Sequence, residues 1–99
     1  MTRDEIIARL KEMEPALRAR GITRLQMFGS RARGDNREDS DLDLLVEYDP
    51  PHQVSGFDFF GIGTDLSEEL GIETNVVTDH PGIKERHRRE FEPDLVSVF

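Results

Sequence analysis

The sixteen-residue stretch GSRARGDNREDSDLDL, from Gly29 to Leu44, decides how the chain folds. The segment before it, ITRLQMF, alternates enough to predict a half-buried strand over residues 22–28. The segment after it, LDLLVEY, predicts a second strand over residues 42–48. The glycine-rich and acidic stretch therefore connects two strands. It begins directly after the first strand and ends inside the second.

Asp41 and Asp43 stand apart from the other acidic residues of the stretch. Side chains alternate between the faces of a strand, so these two carboxylates share one face while Leu42 and Leu44 share the other. Their Cα atoms are then about 7 Å apart. Two carboxylates on one face repel each other unless a cation lies between them. Oxygen ligands of this kind suit Mg²⁺ or Mn²⁺, which complete their coordination with water and phosphate oxygens.

The beginning of the stretch has the features of a phosphate-binding turn. Gly29 permits a close approach of the backbone, and Ser30 begins a turn or short helix whose amides point at an anion. A Walker A loop is excluded, because Asp35 and Asn36 stand where lysine and serine or threonine are required. The middle of the stretch, residues 35–39, is expected to be a solvated connector.

The N-terminal segment predicts an amphipathic helix. Thr2 and Glu5 have the spacing of a capping box, and Pro15 is expected to kink or split the helix. Apolar residues recur at helical spacing at Ile6, Leu10, Met13 and Leu17.

The second half of the chain predicts three further elements and a tail. A helix is expected over 55–70, a third strand over 72–78 and a short basic helix over 83–91. The tail LVSVF is either a last short strand or a docking segment. The element order predicts one domain, residues 1–99, of the α/β (α+β) class, with a small mixed sheet of three to four strands covered by helices.

Composition excludes several function classes. A formal net charge of −8 argues against general binding to nucleic acid, and no apolar run is long enough to span a membrane. The absence of cysteine and of a signal-like N-terminus fits a cytoplasmic protein. Hydrophobic residues make up 35% of the chain and charged residues 34%, so part of the polar surface is available to a partner. This composition is compatible with a homo-oligomer or a hetero-oligomer. His52, His80 and His87 lack the spacing of metal ligands and are interpreted as surface residues.

The run FGSRARGDNREDSDLDLLV closely resembles the signature of the minimal nucleotidyltransferase domains of the DNA polymerase beta superfamily. In that family a Gly-Ser loop precedes an Asp-x-Asp on the next strand, and the similarity of element order extends over nearly the whole chain. The resemblance implies the nucleotidyltransferase fold. It also implies transfer of a nucleoside monophosphate, commonly AMP from ATP, to a hydroxyl acceptor with release of pyrophosphate.

The resemblance further implies a role for each matching residue. Gly29 and Ser30 hold the β and γ phosphates of the nucleotide, and Asp41 and Asp43 bind Mg²⁺ or Mn²⁺. Arg31 and Arg33 lie near the same phosphates, although for each of them a solvated position beside the nearby acids is an equal alternative.

The sequence departs from the family at the third carboxylate. The corresponding run here is ETNVV, which places Asn75 where the family has aspartate. An amide can ligate a metal through oxygen, but it has no charge and cannot act as a general base. Glu73 lies two residues earlier on the same strand face, so Asn75 and Glu73 are the candidates for the third ligand position. For Glu73 an exposed acid at the end of the strand is the favoured alternative.

Three functions follow as hypotheses. Domains of this length in the family usually accompany a HEPN-domain toxin, so the resemblance implies an antitoxin that adenylylates that toxin. The second hypothesis is an inactive module that neutralises its partner by contact, which the substitution at Asn75 favours. The third is a small-molecule transferase of the aminoglycoside-modifying kind, although such enzymes carry an additional acceptor domain.

Overall fold

A computed structural model of the chain describes residues 1–48, 56–78 and 92–99. The elements are α1 (Arg3–Glu12), α2 (Glu14–Ala19), β1 (Ile22–Phe28), α3 (Gly29–Arg33), β2 (Leu42–Tyr48), α4 (Gly56–Leu70), β3 (Thr74–Thr78) and β4 (Val96–Ser97). A single 3₁₀ turn, Glu92–Asp94, precedes β4. The order of helices and strands predicted from the sequence is confirmed within these residues.

The N-terminal helix begins and breaks as its sequence predicts. The Thr2 hydroxyl accepts a hydrogen bond from the Glu5 amide, and the Glu5 carboxylate accepts one from the Thr2 amide, which completes the capping box. The helix is split at Met13, and Pro15 lies in the first turn of α2, where its missing amide hydrogen costs nothing.

The four strands form one mixed sheet in the order β3-β2-β1-β4. β1 is antiparallel to both β2 and β4, whereas β2 and β3 run parallel. The tail is therefore a short strand, the first of the two alternatives. Because β2 lies between β1 and β3, its side chains meet neighbours from both of those strands.

One face of the sheet forms the hydrophobic core. β2 contributes Leu42, Leu44 and Val46 to this face, and all three are fully buried. The helices, β1 and the C-terminal tail supply the other buried core residues: Ile6, Leu10, Leu17, Ile22, Leu25, Met27, Ala32, Ile62, Leu66, Leu70 and Val98. Since the core fixes which β2 residues point inward, Asp43 must point to the opposite face.

β3 begins two residues later than the sequence predicts. The chain leaves α4 through Gly71, whose φ is +68°, and the Thr74 hydroxyl donates to the carbonyl of Ile72. This local turn delays the start of the ladder, although the Glu73 carbonyl already accepts a hydrogen bond from the Leu42 amide.

Some predictions fall outside the described residues. These are the predicted start of the helix at residue 55, the basic helix over 83–91 and the three histidines. Within the described residues, no helix is long and apolar enough to cross a membrane.

Candidate nucleotide and metal site

Asp41, Asp43 and Asn75 converge at the edge of the sheet where β2 and β3 begin. Asp43 is paired with Asn75 in the parallel register of these strands, so the two side chains share one face. The amide nitrogen of Asn75 (Nδ2) donates to Asp41 Oδ2 at 3.2 Å and to Asp43 Oδ1 at 3.3 Å. One polar hydrogen-bond donor therefore lies between two carboxylates, at the position expected for a cation.

Gly29 closes the opposite side of Asp43. β1 is antiparallel to β2, and Phe28 at its end is paired with Asp43, so the next residue passes directly over that carboxylate. Gly29 has a φ of +79°, and a Cβ built on it would lie 2.5 Å from Asp43 Oδ2. Only glycine leaves the Asp43 carboxylate in this position, which agrees with the close backbone approach predicted from the sequence.

Ser30 lies in the first turn of α3, the short helix that follows β1. No side chain caps this helix, and the Ser30 carbonyl accepts hydrogen bonds from the amides of Gly34 and Asp35. The turn and short helix predicted at Ser30 are therefore present. The serine is half-buried next to Gly29, on the side of Asp43 away from Asn75.

Arg31 is buried, with 5% of its surface exposed. Its guanidinium donates to the Ser40 carbonyl at 2.9 Å and to the Glu38 carbonyl at 3.3 Å. These bonds connect α3 to the residues that lead into Asp41. The side chain thus holds the acidic connector against the turn at Gly29 and Ser30, and its contact with a phosphate stays a prediction.

Arg33 is half-exposed and paired with two acids. It donates to Asp35 at 3.1 Å and to Asp94 at 2.8 Å, and these hydrogen bonds raise the pKa of the guanidinium above its ordinary value. The pair with Asp94 joins α3 to the 3₁₀ turn near the C-terminus. A contact of Arg33 with a nucleotide phosphate also stays a prediction.

The electrostatic environment of Asp43 favours the binding of a cation. Partial burial raises the pKa of its carboxyl above the ordinary value, the hydrogen bond from Asn75 acts in the opposite direction, and the charge of Asp41 raises it further. A carboxylate that is costly to ionise alone gains from a nearby positive charge. Asp43 is thus the member of the pair that most needs a counter-ion.

The donors present fit a divalent ion with few protein ligands. Among the described residues, no three His, Cys, Asp or Glu side chains come together as a metal-binding group. Two carboxylates and one amide nevertheless meet within hydrogen-bond distance, and Mg²⁺ is commonly held by one or two carboxylates together with substrate phosphates. The Asn75 amide presents its oxygen instead of its nitrogen if it rotates.

Glu73 directly precedes β3 and lines a groove. The groove, of about 280 Å³, is bounded by Gly63, Thr64 and Ser67 of α4 and by residues 73–76 at the outer edge of β3. Among the described residues, no hydrogen bond or ion pair engages the Glu73 carboxylate, and it joins no metal-binding group with the two aspartates. Its role as a third ligand stays a prediction.

Comparison with known sequences decides the family. The sequence model described as "Nucleotidyltransferase domain" matches residues 3–97. The chain belongs to the nucleotidyltransferase domain family. Among the relatives of this nucleotidyltransferase domain is the protein adenylyltransferase MntA of Thermococcus cleftensis, which is 40% identical over 78 residues covering 78% of this chain and 77% of that protein.

Solved structures share the fold of this nucleotidyltransferase domain. A structure described as a proposed minimal nucleotidyltransferase has 30% identity and a TM-score of 0.77, covering 97% of this chain and 95% of that one. The MNT antitoxin structure in complex with a tri-AMPylated Shewanella oneidensis HEPN toxin has 11% identity and a TM-score of 0.69, covering 99% of this chain and 72% of that one. The fold and family predicted from the sequence are confirmed.

Two features of this nucleotidyltransferase domain were not predicted. The groove depends on the packing of α4 against β3, and only the glycine at 63 is a sequence signal of that close approach. The pairing of Arg33 with Asp94 joins residues 61 positions apart in the sequence, and nothing local indicates it.

Proposed function

We propose that this chain is a metal-dependent protein adenylyltransferase that transfers AMP from ATP to a hydroxyl group on a HEPN-domain toxin, as the antitoxin of the pair. It acts in the cytoplasm with Mg²⁺ or Mn²⁺. The observation that carries the proposal is the convergence of Asp41 and Asp43 on one donor at Asn75, with Gly29 packed against the same Asp43 carboxylate.

The phosphate side of the site is formed by the end of β1. Gly29 leaves space next to Asp43, and Ser30 supplies a hydroxyl and an amide at the uncapped start of α3. These groups hold the β and γ phosphates. The α phosphorus is then located above the two aspartates.

Asp41 and Asp43 would hold the metal, with the Asn75 amide oxygen as a neutral third donor. When bound, the ion neutralises charge on the phosphate oxygens as the bond to the leaving group breaks. The protein contributes position and electrostatic preorganisation, which are the main terms in phosphoryl-group chemistry. In the balanced reaction the acceptor oxygen bonds to the α phosphorus, pyrophosphate leaves, and the hydroxyl proton passes to solvent.

Arg31 contributes through the connector that it holds. Because its guanidinium bonds the carbonyls of Glu38 and Ser40, it fixes the backbone immediately before Asp41. Arg33 is accessible and now pairs with Asp35 and Asp94. When it pairs with a nucleotide phosphate instead, it adds a positive charge to that of the metal ion.

The names of relatives support the acceptor class. The Thermococcus cleftensis relative is named a protein adenylyltransferase, and the Shewanella oneidensis complex contains a HEPN toxin that carries AMP groups. A protein acceptor brings its own complementary surface.

The test is transfer of label from α-labelled ATP to the product of the neighbouring gene, which the proposal expects to be a HEPN-domain toxin, with Mg²⁺ or Mn²⁺. We expect labelling by the wild type and its loss in the Asp41→Asn, Asp43→Asn double variant. Loss of label from the double variant also excludes neutralisation by contact alone. The melting temperature of each variant serves as a control for folding.

A contact-only antitoxin is the second candidate, and Asn75 favours it. Its neutral amide donates to both carboxylates and supplies no third negative charge for a metal ion. This candidate predicts no label transfer and full neutralisation of the toxin by the double variant. That pair of results would exclude the enzyme.

A further inference from the structure

The groove between α4 and the outer edge of β3 is contiguous with the proposed active site. Asn75 belongs to both, because it lines the groove and donates to Asp41 and Asp43. Glu73, which also lines the groove, is level with Asp41 when the register of β2 and β3 is extended by one residue. The groove therefore adjoins the residue that contacts both aspartates.

Strand order places the groove opposite the phosphate-binding turn. On one side of β2, Asp43 is paired with Phe28, which leads into Gly29. On the other side, it is paired with Asn75 of β3. In an in-line displacement the attacking and leaving oxygens lie on opposite sides of the phosphorus. If pyrophosphate leaves toward Gly29, the acceptor oxygen must arrive from the side of β3.

The size and lining of the groove restrict its occupant. Its volume of about 280 Å³ is below the range of about 300–1,000 Å³ that holds drug-sized ligands, so it suits one side chain with its flanking backbone better than a nucleoside triphosphate. The Glu73 carboxylate adds negative charge beside Asp41 and Asp43, in a chain of net charge −8. An acidic occupant is repelled, and a basic or neutral one is favoured.

The geometry points to this groove as the acceptor subsite, which holds a neutral or basic segment of the acceptor protein and presents its hydroxyl side chain to Asp41 and Asp43. This inference rests on the proposed adenylyltransferase function and adds to it the place and charge of the acceptor. Glu73 accordingly interacts with the acceptor segment and is not a third metal ligand. Gly63 keeps the groove open by lacking a side chain.

Two glycines of α4 provide a matched pair of variants. A Cβ at Gly63 would make ordinary contacts of 3.6 Å with the Thr74 carbonyl oxygen and 3.7 Å with Val76 Cγ2, inside the groove. A Cβ at Gly61 would lie 3.7 Å from the Arg20 guanidinium, away from the groove. Both positions are in the same helix and gain helix propensity on substitution, so folding effects are matched.

The kinetic test compares Gly63→Leu with Gly61→Leu, using purified HEPN-domain protein as the acceptor and calorimetry for ATP with Mn²⁺. We expect Gly63→Leu to raise the KM for the acceptor at least tenfold while ATP affinity stays within twofold, and Gly61→Leu to change neither by more than twofold. Gly63→Ala is measured as well, because it adds one methyl group at ordinary contact distance; a smaller rise in the same KM is expected. An unchanged acceptor KM, or a loss confined to ATP binding, would overturn the assignment.

Charge is tested separately with Glu73→Gln, which keeps the shape and removes the charge. We expect a three- to tenfold rise in the acceptor KM that shrinks at high salt, since salt screens a charge pair at the surface. The affinity for Mn²⁺ should be unchanged, because Glu73 is not a ligand. A loss of Mn²⁺ affinity with an unchanged acceptor KM would overturn this role.

Crosslinking provides a readout independent of turnover. The chain contains no cysteine, so a benzophenone maleimide attached at Gly63→Cys is site-specific. It should crosslink to the HEPN-domain protein, and the same probe at Gly61→Cys should not; the reverse pattern contradicts the proposal. If the wild type transfers label but the groove variants behave like it, the subsite alone is wrong. If the wild type transfers none, the proposed function fails and the subsite with it.

Discussion

Replacing Gly29 with alanine tests the contact that joins the phosphate side of the site to the metal side. The residue has a φ of +79°, and the added Cβ would lie 2.5 Å from Asp43 Oδ2. Two separate penalties arise. One is the left-handed backbone, which any L side chain resists, and the other is the overlap with the Asp43 carboxylate.

Gly34 separates these two penalties. Its φ is +86°, and an added Cβ there meets nothing within 4 Å. Gly34→Ala therefore reports the backbone penalty alone, about 1–2 kcal/mol in the free energy of unfolding. For a domain of this size, that corresponds to a fall of roughly 4–16 °C in Tm.

Gly29→Ala should lose about the same stability as Gly34→Ala, because the overlapping atom is the end of a short side chain that can rotate away. Rotation of Asp43, however, moves a proposed metal ligand off its position beside Asn75. We expect Gly34→Ala to keep the rise in Tm that Mn²⁺ and ATP produce, and Gly29→Ala to lose it. Differential scanning fluorimetry with and without Mn²⁺ and ATP measures both quantities.

The reasoning is refuted if Gly29→Ala keeps the full Mn²⁺ and ATP response. It is also refuted if Gly34→Ala loses the response to the same extent, since the loss would then follow from backbone strain alone. Gly71→Ala, with a φ of +68° and no atom within 4 Å of the added Cβ, repeats the control outside the turn at Gly29.

Three further predictions concern the same site. Asn75→Asp should tighten Mn²⁺ binding, measured by calorimetry, because it adds a third carboxylate. It should also lower the metal-free Tm, because the amide that now donates to Asp41 and Asp43 is lost. An unchanged Mn²⁺ affinity would place residue 75 outside the coordination sphere. Arg31→Met should lower the free energy of unfolding by about 2–4 kcal/mol, since two buried hydrogen bonds from a charged group are lost. Arg33→Met should cost clearly less, because the ion pairs of Arg33 are exposed to solvent. Equal losses for the two variants in urea titrations would contradict the buried role of Arg31. Folding raises the pKa of Asp43, so its contribution to metal-free stability is greatest below its ordinary pKa and is lost as the pH rises through the raised value. The Tm of the wild type should therefore fall relative to that of Asp43→Asn as the pH goes from acid to neutral. A Tm difference that stays constant over this range would refute the prediction.

Local sequence patterns were enough for the positions of most elements. The capping box at Thr2, the break near Pro15 and the strand over 42–48 each follow from interactions within a few residues. The third strand was predicted too long, because the turn after Gly71 depends on how α4 meets the sheet.

The arginines illustrate the limit of local reasoning. From the sequence, Arg31 and Arg33 are equivalent members of one basic pair, each able to meet phosphate or solvent. In the fold, Arg31 is buried and bonds two carbonyls, whereas Arg33 is half-exposed and bonds two acids. Burial depends on what packs against the short helix α3, and no pattern within residues 29–34 encodes that.

The sequence by itself determined the two halves of the site. A strand period of two puts Asp41 and Asp43 on one face, and a glycine before Ser30 permits a close approach of the backbone, so both features follow from local geometry. The tertiary structure decided how the halves meet. Only the sheet order brings Asn75 between the two carboxylates and sets Gly29 against Asp43. Those contacts join strands distant in sequence, and their register is fixed by which face of β2 is buried in the core.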